Sequence, residues 1–203
     1  ATYVVSKADT ESPVIINEFS KIRNLPEMLG ELSYSGYLAI GVSKIILVEG
    51  VTEVRAVREL LKTFGKANEF ILLSLGGSDF INAKREEELK QLRLISGDSS
   101  QIKVLIDSEK SSSDKELPTD RKKFLEICER LGFEQFVLSR RALENYFPQR
   151  AITKAITSRF KELGEYEKLT CGKNGKEAHW SKNDNYRIAR EMSKEEIMKT
   201  DLG

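Results

Sequence analysis

Apolar runs, broken at regular intervals by acidic residues and glycine, organise the middle of this chain. Ile45-Ile46-Leu47-Val48 is fully apolar and stops at Glu49-Gly50, the pattern of a strand buried on both faces. Val54, Val57, Leu61 and Phe64 follow at helical spacing, and Gly65 marks the stop. The alternation then repeats. Phe70 to Leu75 reads as a second strand ended by Gly76-Gly77, and Asp79 to Ile95 as a charged helix with Leu89 and Leu92 inward. Ile102 to Ile106 reads as a third strand closed by Asp107, with a polar loop from Ser108 to Glu116. Pro118-Thr119 opens a third helix with Phe124, Ile127, Cys128 and Leu131 on one face. Gly132 ends it, and Phe133 to Leu138 reads as a fourth strand. Strand and helix in strict alternation predict an α/β fold: a four-stranded parallel sheet flanked by helices, with right-handed crossovers.

The flanks read differently. Residues 1–40 carry only short apolar runs, Tyr3-Val4-Val5 and Val14-Ile15-Ile16, punctuated by Pro13, Pro26 and Gly30. They are expected to be an N-terminal segment, the tail of a preceding domain, packed on the core of 41–148. Residues 149–203 are expected to be a helical extension. Helices are predicted over Arg140 to Tyr146, over Pro148 to Leu163, and as a C-terminal pair. Ser193 and Glu196 form a capping box for the last one. A polar loop is predicted from Gly164 to Asn185.

Composition narrows the picture only a little. Lys and Arg number 33 against 32 Asp and Glu, a net charge of +1, so any polyanion-binding surface must be a local patch. Cys128 and Cys171 are too few for a disulfide framework and read as two reduced thiols. No apolar run reaches the roughly 18 residues that span a bilayer, and a cytoplasmic location is expected. The chain opens at Ala1 without Met, so it is expected to be part of a longer protein.

In open α/β sheets, sites lie beyond the carboxyl ends of the strands. Glu49 follows the first predicted strand, Asp79 comes soon after the second, and Asp107 and Glu109 follow the third. After the fourth come Arg140 and Arg141, with Glu144 a turn later. Glu53 lies four residues beyond Glu49, so it points back from the first helical turn. Mutually repelling carboxylates at one edge call for positive charge, and hard oxygen ligands suit Mg²⁺ or Mn²⁺. Two such ions about 4 Å apart stabilise the attacking and leaving oxygens of a phosphodiester. Arg140, Arg141, Lys173 and Lys176 are candidates for a basic rim on a DNA backbone. His179, the only histidine, is not needed as a base by such chemistry. Trp180 reads as a packing or rim aromatic, and Cys128 as core.

Three motifs carry a family resemblance. Val48-Glu49-Gly50-Val51-Thr52-Glu53 resembles the "VEGxTE" opening of Toprim domains in OLD-family (overcoming lysogenization defect) nucleases. Leu105-Ile106-Asp107-Ser108-Glu109 sits where that fold carries an acidic D-x-D motif, with Glu in place of the second Asp. Ser139 to Tyr146 is similar to the "R-E-x-E-N-Y" helix after the fourth strand. The matches span about Lys44 to Pro148, half the chain. The resemblance implies a Toprim catalytic domain over 41–148 that cuts DNA with two Mg²⁺ or Mn²⁺ ions. Its implied ligands are Glu49, Glu53, Asp107, Glu109 and Glu144, with Glu49, Asp107 and a late lysine catalytic. Lys182 leads for that lysine, with Lys176 and Lys173 as rivals. The resemblance also implies an ABC-type ATPase domain upstream in the same polypeptide, and a homodimer formed through regions outside this chain. Gly172-Lys173-Asn174-Gly175-Lys176 lacks the spacing, preceding strand and Ser/Thr of a phosphate-binding loop, so ATP is not expected to bind there. Two other readings stay open: a Toprim primase- or topoisomerase-type enzyme, and a non-catalytic DNA-binding or dimerisation module.

Overall fold

The apolar run from Ile45 to Val48 lies inside a sheet, hydrogen-bonded on both sides. The computed structural model describes residues 3–6, 15–18, 44–76, 83–96, 98–170 and 179–203. β1 (Tyr3–Ser6) and β2 (Ile15–Glu18) form an antiparallel pair. The main sheet contains β3 (Lys44–Val48), β4 (Phe70–Ser74), β5 (Ile102–Ile106) and β6 (Glu134–Val137). Its order is β4-β3-β5-β6 and every pairing is parallel. Parallel neighbours need crossovers, which here are α1 (Val51–Thr63), α2 (Ala83–Ser96) and α3 (Thr119–Leu131). The C-terminal part adds α4 (Gln149–Ala155), α5 (Asn185–Glu191) and α6 (Lys194–Met198).

The two faces of the sheet bury separate cores. Ile45, Leu47, Val104 and Ile106 face one way and pack with Leu89 and Leu92 of α2 and Phe124 and Cys128 of α3. Val48 and Leu72 face the other way, against Ala56, Val57 and Leu60 of α1, Ile152 of α4 and Ile188 of α5. Trp180, 1% exposed, fills this second core. Burial also pushes the Cys128 thiol up to about 12, so it stays a protonated core residue. The sheet therefore needs helices on both sides, and its carboxyl edge opens between them. Among the described residues, no helix is long and apolar enough to cross a membrane.

Two predicted helices are shorter than the sequence suggests. Arg140 to Tyr146 contains only a 3-10 turn, Leu143–Tyr146. Ala142 is extended at φ −152°, and the Arg140 and Arg141 carbonyls are taken by the Ser108 hydroxyl (2.7 Å) and the Glu109 N–H (2.8 Å). Bonds from a distant loop thus replace the helical ladder. Pro148 to Leu163 is helical only as α4, because Gln149 folds the chain back. Its side chain accepts from the Glu162 N–H at 3.0 Å and donates to the Phe160 carbonyl at 2.9 Å. The expected loop from Gly164 ends early, in a 3-10 turn at Lys182–Asp184 that runs into α5. The Ser193–Glu196 capping box is present at α6.

Candidate functional site

Four carboxylates and two cations meet at the carboxyl edge of β3 and β5. Glu49 leaves β3 and accepts the Asp107 N–H at 2.8 Å, which ties two strand ends together. Arg121, in the first turn of α3, holds Glu49 at 3.2–3.3 Å and donates from Nε to the Asp107 carbonyl at 2.9 Å. Glu53 turns inward from the first turn of α1, accepts from the Thr52 hydroxyl at 3.0 Å, and meets Lys182 Nζ at 2.9 Å. Asp107 is 2% exposed. Its Oδ1 accepts the Leu143 N–H at 3.0 Å, whereas its Oδ2 has no hydrogen-bond partner among the described residues and lies 4.0 Å from Lys182 Nζ. Glu144 is buried in the Leu143–Tyr146 turn and accepts from Asn185 Nδ2 at 3.4 Å. The other side of Asn185 accepts the Trp180 indole N–H at 2.9 Å, which fixes the turn bearing Lys182 on either side.

The electrostatics follow from burial. Burial, and then the Glu49 and Glu144 charges, push Asp107 well above the usual carboxylate range, against the pull of Lys182. Burial also raises Glu49, though Arg121 and the Asp107 N–H oppose it. Glu144 is raised by burial, with Lys182 opposing. Burial works against the Lys182 ammonium, but Glu144, Glu53 and Asp107 together hold it charged above its ordinary range. One ammonium thus faces three carboxylates, while Arg121 engages the fourth.

Other residues singled out in the sequence lie elsewhere. Glu109 has φ 51°, in the left-handed region that a residue with a side chain rarely adopts. Its carboxylate is held by Arg141, outside the group around Lys182. Arg140 lies over the Tyr146 ring at 4.9 Å, donates to the Asn145 carbonyl at 2.7 Å and pairs with Glu165 at 3.7 Å. Both arginines are therefore engaged within the fold. His179 Nδ1 accepts the Thr170 N–H at 3.2 Å, and Nε2 lies 3.3 Å from Glu167. Asp79, Lys173 and Lys176 lie outside the described residues. Arg121 and Asn185 escaped sequence reasoning. Arg121 left one signal: it sits three residues before Phe124 and seven before Cys128, on the apolar face of its helix.

Gly50 also has a role the sequence obscures. Its φ of −141° is extended backbone that any residue adopts, so turn geometry does not require glycine. A Cβ there would lie 2.7 Å from Glu53 Oε2, and glycine leaves room for that carboxylate.

The donor set suits a hard divalent cation. The donors are carboxylate oxygens, one buried oxygen accepts no hydrogen bond among the described residues, and negative charge exceeds positive around Lys182. Among the described residues, however, no three His, Cys, Asp or Glu side chains already form a group able to hold an ion; Lys182 and Arg121 engage these carboxylates instead. Comparison of the chain with protein-family models, with curated proteins and with solved structures finds no match.

Proposed function

We propose that this chain is a Toprim-type, divalent-metal-dependent endonuclease domain of the OLD family, which hydrolyses DNA phosphodiester bonds. The observation that carries the reading is Asp107: a buried carboxylate with one oxygen that no hydrogen bond satisfies among the described residues, at a strand end where Glu49, Glu53 and Glu144 converge. Such a cluster is costly without further positive charge. Mg²⁺ or Mn²⁺ held by Glu49, Glu53, Asp107 and Glu144, in two positions, would supply neutralisation of the attacking and leaving phosphate oxygens. Lys182 would supply charge directly. Its side chain is 41% exposed while its ammonium lies 2.9 Å from Glu53, so it is suited to balance a scissile phosphate at the rim of the cluster. Arg121 is a positioning residue, since its guanidinium fixes Glu49 relative to the Asp107 backbone. Glu109 would serve as a ligand only after leaving Arg141. The upstream ATPase partner belongs to the same proposal and rests on the motif resemblance.

A second reading is a non-catalytic DNA-binding or dimerisation module. The observation favouring it is that Lys182 and Arg121 already pair with the site's carboxylates. Plasmid cleavage separates the two. The nuclease reading expects supercoiled plasmid to be nicked with Mg²⁺ or Mn²⁺, cutting to stop with EDTA, and Glu49→Ala and Asp107→Ala to be inactive yet folded. Cutting that survives either substitution removes the proposed site; absence of cutting with both metals leaves the module.

A further inference from the structure

The exposed charges of α1 differ in kind from those of the neighbouring helices. On α2 and α3 exposed cations are interspersed with acids, and some pair with them: Lys90 lies 3.5 Å from Glu86, and Arg130 lies 3.3 Å from the same carboxylate. On α1 the exposed charged residues are Arg55, Arg58 and Lys62, all positive. The helix has two acids, both buried: Glu53 points into the site, and Glu59 lies between Lys62 (2.8 Å) and Arg190 of α5 (3.0 Å). Lys62 and Arg190 thus share the one carboxylate on this face. Among the described residues, the side chains of Arg55 and Arg58 make no ion pair or hydrogen bond. At 100° per residue the three α1 cations fall within about 60° of one another, on a stripe about 10 Å long.

Resting on the nuclease reading, we infer that this α1 stripe, and not the Arg140–Arg141 pair, is the track for the DNA phosphate backbone. Arg140 and Arg141 are occupied by Glu165, Glu109 and carbonyl oxygens. The α1 cations have charge to spare. The stripe lies about half a turn around the helix from Glu53, on the solvent face of the helix whose first turn opens at the site. Strand phosphates recur about every 3.4 Å of duplex axis, so about 10 Å of helix spans roughly three of them. An arginine fork is well matched to phosphate oxygens, and neither Arg55 nor Arg58 must give up an internal partner to use it.

The test is fluorescence anisotropy of a short labelled DNA duplex titrated with the whole chain in EDTA, repeated over a salt series. Arg55→Ala/Arg58→Ala is expected to weaken binding several-fold. It should also flatten log K against log salt by nearly two, because each lost phosphate contact removes about 0.9 from the slope. Arg55→Glu/Arg58→Glu should weaken binding further, while Lys123→Ala on the outer side of α3 leaves affinity and slope unchanged. Native melting temperatures in all variants keep these effects apart from unfolding. A double variant that retains the native affinity and slope overturns the inference, as does a native chain that cuts plasmid without salt-dependent binding. In both cases the nuclease reading stands if plasmid is still cut; a native chain that neither binds nor cuts DNA removes both.

Discussion

Asp107 is buried and held well above the usual carboxylate range, and it gives the sharpest residue-scale predictions. Its folded-state pKa is raised by burial and by Glu49 and Glu144. The folded protein therefore holds a proton that the unfolded chain releases once pH rises past the ordinary carboxylate range. Its contribution to stability is fully present below that range and is lost as pH climbs through the raised value. Glu49 and Glu144 act in the same direction. Carboxylates elsewhere with lowered pKa values, Glu59 and Glu196 among them, act in the opposite direction in the native chain and in any Asp107 variant alike, so the effect is read as a difference. Without metal, Asp107→Asn should melt a few degrees higher than the native chain at neutral pH, and the gap should close as pH falls toward about 4. A variant that melts lower, with a gap independent of pH, would contradict the assignment. Arg121 is the converse case. Arg121→Met strands the Glu49 carboxylate and should cost about 3 kcal/mol in urea denaturation. Arg121→Lys should recover only part of this, because an ammonium cannot reach Glu49 and the Asp107 carbonyl with one planar fork.

At the scale of elements, the turns after the strands set the chemistry. Gly50→Ala should leave melting close to native, since the crowded atom is the end of the flexible Glu53 side chain. It should lower cleavage at least tenfold by displacing that carboxylate, measured as initial plasmid-nicking rates. Asn185→Ala removes the partner of the buried Trp180 N–H and of Glu144. It should destabilise the fold by about 2 kcal/mol in chemical denaturation. The central strands and crossover helices were legible because their signals are local: apolar runs such as Ile45 to Val48, helical spacing from Val54 to Phe64, and a stop at Gly132. The segments from Arg140 to Tyr146 and beyond α4 were not. Their conformation depends on Ser108, Glu109 and Gln149 bonding to backbone groups remote along the chain or beyond the helix end. Helical periodicity does not register such competition.

At the scale of the molecule, a parallel sheet gathers strand ends from distant parts of the sequence onto one edge. That rule alone made the convergence of Glu49, Glu53 and Asp107 readable. Lys182 was reached only through a resemblance with two rival lysines, and Arg121 was missed although its place on an apolar helix face marks it. A single sequence does not state which remote side chains close a site. The near-zero net charge is similarly uninformative, since it hides the uneven charge of α1. The central claim is that the Asp107 cluster takes up divalent cations, and Mn²⁺ titration followed by the electron paramagnetic resonance signal of the free ion tests it most directly. The native chain should take up Mn²⁺ saturably, and uptake should be lost or strongly weakened in Asp107→Asn, with the variant folded by circular dichroism. Equal uptake by the native chain and the variant, or none by the native chain, would contradict the claim.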